Sequence, residues 1–380
     1  MLQILRRKFA VIAGIAFIAL LGANAFRILG QDAPTVNLQS ELNIGLNCPV
    51  SSTLNADQTQ LWILLDNCYG EDYTVLIYDL TSSTLITIRD DNFAPFFESL
   101  TVDQWVSSFV SPFTYTSDEM LEVIYTDDTQ DYDTGRARAP ISGDIPAEPS
   151  TILLNRETLE NLIPGYAGYP ETTVYNADHT LAAVSDLTSI HVIDLLTGSE
   201  LFAMNTPEGS EQYFPVFSPD SQSLFIPRLI NFNDATDNSA SLSIYSLPDG
   251  AITATYEVPT AFFWPSPDNR LIAGMIPDPN GDDSNDQLLI IMDLSTGSVS
   301  QPQPINEPAH TVSQCVNDGH SIADLNHSIE GDLPITSLIW LPDSSGFYTT
   351  NSYGGEALGG GRLCILNYSR LRLYSVLASN

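Results

Sequence analysis

The stretch from Val216 to Ile226, Val-Phe-Ser-Pro-Asp-Ser-Gln-Ser-Leu-Phe-Ile, constrains the fold of this chain more than any other feature. It reads as apolar strand, tight turn, apolar strand. Pro219 fixes φ at the turn, and Asp220 can bond its own backbone there. One such hairpin would say little. This one recurs at Leu54-Asn55-Ala56-Asp57, Tyr115-Thr116-Ser117-Asp118, Tyr175-Asn176-Ala177-Asp178, Trp264-Pro265-Ser266-Pro267-Asp268 and Trp340-Leu341-Pro342-Asp343. The aspartates are spaced by 61, 60, 42, 48 and 75 residues, the sign of a repeat architecture.

A second signature follows each turn: an apolar strand, a short polar turn, another strand. Its copies are Val75–Ser82, Ile152–Thr158, His191–Gly198, Leu242–Gly250, Leu289–Gly297 and Leu363–Arg370. Each unit thus supplies four strands, a to d. A four-stranded sheet cannot bury both faces alone, and radial stacking of such sheets can. The expected fold is all-β, a six-bladed β-propeller of four-stranded antiparallel blades. All four strands of each blade are expected from one repeat, with 35–46 open as an extra edge strand that helps close the ring.

The turn Phe217-Ser218-Pro219-Asp220 and the strand end Ile291-Met292-Asp293-Leu294-Ser295-Thr296-Gly297 resemble the WD40-like (PD40) repeat of TolB-type envelope proteins. That repeat has a strand leading into Ser-Pro-Asp-Gly and a later strand ending in Asp-Leu-x-Thr-Gly. The resemblance covers about residues 48–378 and implies a propeller. No copy here carries the full Ser-Pro-Asp-Gly, and the small α/β domain that precedes the TolB propeller has no counterpart. Fold alone does not carry the TolB role.

The first 25 residues read as a signal peptide. Arg6-Arg7-Lys8 is the basic region, Phe9–Leu21 the apolar one, and Ala23-Asn24-Ala25 the small-x-small cleavage form. An uncleaved membrane anchor is the alternative reading, and Arg6-Arg7-Lys8-Phe9 also resembles a twin-arginine signal. Residues 26–47 read as a linker and 48–380 as the propeller domain. The chain is expected outside the cytoplasm, in the periplasm, at the cell surface or secreted, with no stable membrane span once the signal is cleaved. Thirteen basic residues face 47 acidic ones, a net charge of −34, which repels phosphate backbones and anionic headgroups. Nucleic acid is therefore not an expected partner.

Alternating strand directions put all a–b and c–d turns on one face of the disc and all b–c and d–a connections on the other. The long connections, 90–112, 126–150, 164–173, 205–213, 231–240, 277–286, 301–336 and 352–361, all belong to the second kind. Elaboration on one face marks it as the expected binding face. The same geometry places the four cysteines there, and the pairings it favours are Cys48–Cys68 and Cys315–Cys364.

Within that face, Asp278-Pro279-Asn280-Gly281-Asp282-Asp283-Ser284-Asn285-Asp286 sets side-chain oxygens at positions 1, 3, 5 and 9. Asp278, Asn280, Asp282 and Asp286 thus resemble a propeller calcium loop, with Asp283 where glycine is usual. A hydrated acidic turn is the other reading. Asp127, Asp131 and Asp133 form a second acidic loop, and Asn231, Asn233, Asp234 and Asp237 a third. His310, His320 and His327 share a loop with Cys315, at spacings that fit no standard zinc pattern. Trp105 lies among Phe93, Phe96, Phe97 and Phe109, as a contact site or a cap over the channel. His179 falls in an a–b turn on the opposite face. There is no Gly-x-Ser-x-Gly elbow and no phosphate-binding glycine loop.

Two functions follow as expectations, beside a third reading in which the repeat serves only as a stalk or assembly module. The first is an exported scaffold that binds a protein or glycan partner of the cell envelope through the acidic long-loop face. The second is a metal-dependent propeller enzyme of lyase, lactonase or hydrolase type.

Overall fold

The computed structural model describes residues 33–377 except 46–47, 56, 67–73, 89–103, 107–112, 116–119, 128–132, 141–147, 169, 171–172, 187, 206–214, 230–239, 248, 278–286, 305, 312–315, 318–319, 322–327, 333–334 and 360–361. The strands assemble into a six-bladed β-propeller. Blade one is Cys48–Leu54, Gln60–Asp66, Thr74–Asp79 and Thr84–Ile88 in that order. Blades three and four follow the same rule, with Val174–Tyr175, Leu181–Ser185, Ser189–Asp194 and Ser199–Asn205, then Val216–Phe217, Ser223–Leu229, Ala240–Ser246 and Ile252–Val258. Blade five is Phe263–Pro265, Leu271–Pro277 and Gln287–Asp293, its outer position shared by Ser298–Val299 and Gln303–Pro304.

Blade six departs from the one-repeat-per-blade expectation. Its sheet runs Ile335–Trp340, Gly346–Gly359, Arg362–Leu377, and then Thr35–Gly45 from the start of the propeller. The ring is closed by Thr35–Gly45, which pairs antiparallel from Thr35 opposite Leu377 to Gly45 opposite Ser369. Leu363–Arg370 is therefore not a c–d turn: it lies inside a continuous strand of 16 residues. With an outer strand arriving from elsewhere, nothing needs to turn there. The segment 352–359, expected within the long connection 352–361, pairs with 362–369 as a two-stranded ribbon.

Blade two also corrects the sequence reading. The stretch 126–150 is not one long loop, because Asp133–Pro140 is strand c and pairs residue for residue with Met120–Asp127. Asp-Thr-Gly-Arg-Ala-Arg-Ala-Pro lacks the apolar alternation of a strand. Its arginines are accommodated because Arg138 faces the buried Glu122, Nε to Oε2 at 3.1 Å. Gly135 is required because a Cβ there would stand 2.3 Å from the Tyr125 ring. Ile152–Leu154 accordingly ends strand d, Glu148–Leu154, and Asn155 caps the helix Arg156–Leu162 by accepting the Thr158 N–H at 2.7 Å. The innermost strand is split: Gln104–Val106 and Phe113–Tyr115 pair with the two ends of Met120–Asp127. The 301–336 connection contains two short pairs, Asn306–Thr311 with Ser328–Asp332 and Val316–Asn317 with His320–Ser321.

Apolar residues alternating along the strands fill the spaces between blades. Leu61, Ile63 and Leu76 of blade one meet Ile44, Tyr348 and Leu371 of blade six. Phe225 and Leu242 of blade four pack on Phe263 and Ile272 of blade five, and Leu289 and Ile291 of blade five on Trp340 and Phe347 of blade six.

The described a–b turns share one hydrogen-bond set. In blade four the Ser221 N–H donates to the Ser218 carbonyl at 2.9 Å, and Ser218 Oγ accepts the Ser223 N–H at 2.8 Å. Asp220 Oδ1 accepts the Gln222 N–H at 3.0 Å, and Asp57, Asp178, Asp268 and Asp343 accept in the same way. The next residue is left-handed in each copy: Gln58, His179, Ser221, Asn269 and Ser344 have φ of 59, 53, 54, 56 and 58°. This is the position where the resembling repeat carries glycine. Here four of the five side chains reach the preceding blade. Ser221 Oγ accepts from Asn176 Nδ2 at 3.1 Å, Asn269 Nδ2 donates to Asp220 Oδ2 at 3.2 Å, Ser344 Oγ accepts the Asp268 N–H at 3.4 Å, and His179 Nδ1 meets Glu122.

Candidate functional site

Strand direction fixes which end of each blade carries what. The a–b and c–d turns emerge on one face, and the b–c and d–a connections on the other. Strands Ser223–Leu229 and Ala240–Ser246 end in register, Leu229 opposite Ala240, and Pro277 stands opposite Gln287 in blade five. These paired strand ends, where the b–c connections of blades four and five leave and re-enter the sheet, lie at the second face. The blade-six ribbon and the 306–332 pairs rise there too.

The expected calcium residues Asp278, Asn280, Asp282 and Asp286 lie outside the described residues, as do Asp131, Asp234, Asp237, His327, Cys68 and Cys315. Cys48 stands opposite Asp66 in blade one and Cys364 opposite Ala357 in the ribbon. His310 is in strand opposite Ile329, and His320 opposite Asn317. Trp105 is in strand opposite Thr126 of blade two, within its split inner strand. Asp127 ends strand b of that blade opposite Asp133. Asp133 is buried, and its carboxylate accepts the Arg156 N–H at 3.2 Å, so it holds the helix start.

Much of the acidity on the turn face is spent on the backbone. Besides the a–b aspartates, Asp79 accepts the Thr81 and Ser82 N–H groups, Asp194 those of Leu196 and Thr197, and Asp293 those of Ser295 and Thr296. The Ser82 N–H and hydroxyl hold the Asp79 carboxyl below its usual range, and the Thr59 hydroxyl and N–H do the same for Asp57. These carboxylates build turns.

One polar constellation at the long-loop end of blade three was not legible as a unit in the sequence. Ser189 and His191 are two apart on strand c and share a face of the sheet. Ser189 Oγ lies 2.7 Å from His191 Nε2, and His191 Nδ1 lies 2.7 Å from Glu200 Oε2. Glu200 stands opposite Ile193 on the outer strand and reaches His191 diagonally across the same face. Asp186 closes the b–c turn by accepting the Thr188 and Ser189 N–H groups at 2.6 and 2.8 Å, and its Oδ2 is 3.7 Å from His191 Nε2. Burial pushes the Asp186 carboxyl up, but those hydrogen bonds outweigh it and hold it low. Tyr166, from the connection after the helix, is packed beside Ser185. A Cβ on Gly168 would stand 2.4 Å from the Ser185 carbonyl oxygen and 2.8 Å from the Tyr166 hydroxyl. That hydroxyl is buried with no hydrogen-bond partner among the described residues, and burial holds its pKa well above the usual phenol value. The only sequence signal for the set is Ser-x-His at strand spacing.

No family model matches the chain, so the TolB-type likeness stays with the turn motifs, and no curated protein matches it. Among solved structures it is similar to the Kuenenia stuttgartiensis hydrazine synthase, at 12% identity and a TM-score of 0.42, over 82% of this chain and 78% of that one. At that distance the likeness carries no argument about chemistry. No helix among the described residues is long and apolar enough to cross a membrane.

Proposed function

We propose that this chain is an exported propeller that binds a protein or glycan partner of the cell envelope through its long-loop face. One observation supports the reading: the blade-six ribbon and the 306–332 pairs rise from the side of the disc where the paired ends Leu229–Ala240 and Pro277–Gln287 lie, while the described a–b turns of the other side are short and self-bonded. A rigid ring that elaborates one side presents a composite surface with little ordering cost on binding. The net charge of −34 favours a basic or neutral partner and disfavours nucleic acid. Calcium in the 278–286 loop would order part of that surface through Asp278, Asn280, Asp282 and Asp286.

The test uses the in-register strand ends. Replacing 230–239 and 278–286 by two-residue Asn-Gly turns should leave the blades intact, because Leu229–Ala240 and Pro277–Gln287 are already paired. Capture of an envelope partner is expected to be lost while the unfolding midpoint stays near that of the parent. Undiminished capture would contradict the assignment of the face.

A further inference from the structure

We infer that Ser189, His191 and Glu200 form an acyl-transfer site that hydrolyses small neutral or cationic esters. The inference is independent of the binding reading and concerns the side of blade three where the b–c turn opens. A serine nucleophile needs a base on its hydroxyl and a third group that orients the base. Both contacts are present at 2.7 Å, Ser189 Oγ to His191 Nε2 and His191 Nδ1 to Glu200 Oε2.

The proton positions follow from the donor inventory. A carboxylate only accepts, so the hydrogen on the Glu200 contact belongs to His191 Nδ1, and the neutral ring offers Nε2 as acceptor to Ser189. Ser189 Oγ also lies 3.1 Å from Asp186 Oδ1, and one hydroxyl proton cannot serve both. With the ring neutral the proton points to Nε2. With the ring protonated Nε2–H points to Oγ and the hydroxyl turns to Asp186. The network therefore satisfies both states of the base, and Asp186 Oδ2 at 3.7 Å adds negative charge beside the imidazolium.

In the reaction, Ser189 Oγ bonds to the acyl carbon and its proton moves to His191 Nε2. The ester C–O bond then breaks, and the alcohol leaves with that proton. Water attacks the acyl-serine, gives a proton to Nε2, and the acid departs as Oγ recovers it. Ester and water become acid and alcohol, with no further reactant. The Tyr166 hydroxyl, a buried donor with no partner among the described residues, lies beside Ser185 on the neighbouring strand. Ser189 is only 9% exposed, which favours a small acyl group. Asp186 and Glu200 repel an anionic substrate.

The probe is a biotinylated fluorophosphonate, whose phosphorus bonds to an activated serine oxygen as fluoride leaves. The purified protein is labelled, cleaved and mapped by mass spectrometry, with p-nitrophenyl acetate hydrolysis measured alongside. The expected adduct is on Ser189. Ser189→Ala should abolish it and bring hydrolysis to the uncatalysed rate. Glu200→Gln should slow labelling at least about tenfold with the thermal midpoint little changed, since it spoils the orientation of the base. A folded parent with no adduct at Ser189, or equal labelling and hydrolysis in folded Glu200→Gln, would overturn the assignment.

Discussion

Asn269 Nδ2 donates to Asp220 Oδ2 at 3.2 Å, tying the a–b turn of blade five to that of blade four. Asn269 occupies the left-handed position that glycine would fill without strain, at φ 56°. The strain and the link between blades thus come from one residue. Gln58 has the same conformation, φ 59°, and its side chain is exposed. Gln58→Gly should therefore gain about 0.5–1 kcal/mol from relieved strain net of chain entropy. Asn269→Gly should gain less or lose, because the bond to Asp220 goes with it. Urea midpoints of the two variants check this, and equal gains would show the link to be worth nothing.

Glu41 closes the ring electrostatically as well as by backbone pairing. Its carboxylate is 2.8 Å from Arg372 Nε and 3.5 Å from Arg370 Nε, with the Arg372 side chain 4% exposed. Glu41→Ala is expected to cost about 1.5–3 kcal/mol, the range for a hydrogen bond to a charged group. Removing 26–45 altogether bares the strand Arg362–Leu377 as an edge, so that variant should aggregate. Sedimentation of the truncated protein distinguishes this from a closing strand that is dispensable.

Acid should loosen the turn face. Burial raises the Asp220 carboxyl, but the Ser218 hydroxyl and the Gln222 N–H outweigh it, and the group ends below the usual Asp value of 3.8. Asp268 behaves alike, with Ser266 and Arg270 as donors. A carboxyl whose pKa is lower folded than unfolded binds more protons unfolded. Its stabilisation is complete above the unfolded value and is lost as pH falls through the folded one. Protonation also relieves the repulsion of a −34 chain, which acts the other way. In about 1 M salt, where the Debye length is only about 3 Å, that repulsion is screened. The urea midpoint should then be flat from pH 7 to 5 and drop below pH 4. A midpoint that rises on acidification in that salt would contradict the turn chemistry.

The cysteine pairings make a separate prediction. Cys48 stands opposite Asp66, two residues before Cys68, and an oxidised protein should yield the Cys48–Cys68 peptide pair on non-reducing mapping. Cys315–Cys364 is expected as the second pair. Reduction of native bridges in an exported domain typically costs about 2–5 kcal/mol, so the thermal midpoint should fall with dithiothreitol.

The blades whose turns follow local chemistry were legible from the chain. Ser218, Ser266 and Asn176 bond a backbone group five residues on, and the aspartate two residues later bonds one as well, so each turn is written within about eight residues. Strand c of blade two was not, because Gly135 and Arg138 fit only in the presence of Tyr125 and Glu122. The closing strand was open in the sequence and fixed only by its partner more than 300 residues away, Glu41 beside Arg372. The set Ser189, His191 and Glu200 is not written in local sequence, because Glu200 meets His191 only through the pairing of strands c and d, where it stands opposite Ile193.

Binding through the long-loop face is tested most directly by affinity capture from native envelope extract, with the parent protein beside the variant carrying Asn-Gly turns in place of 230–239 and 278–286. A partner should be retained by the parent and lost by the folded variant. A partner held equally by both, and released instead by substitutions at the turn-face residues Asp57, Asp220 and Asp343, would contradict it.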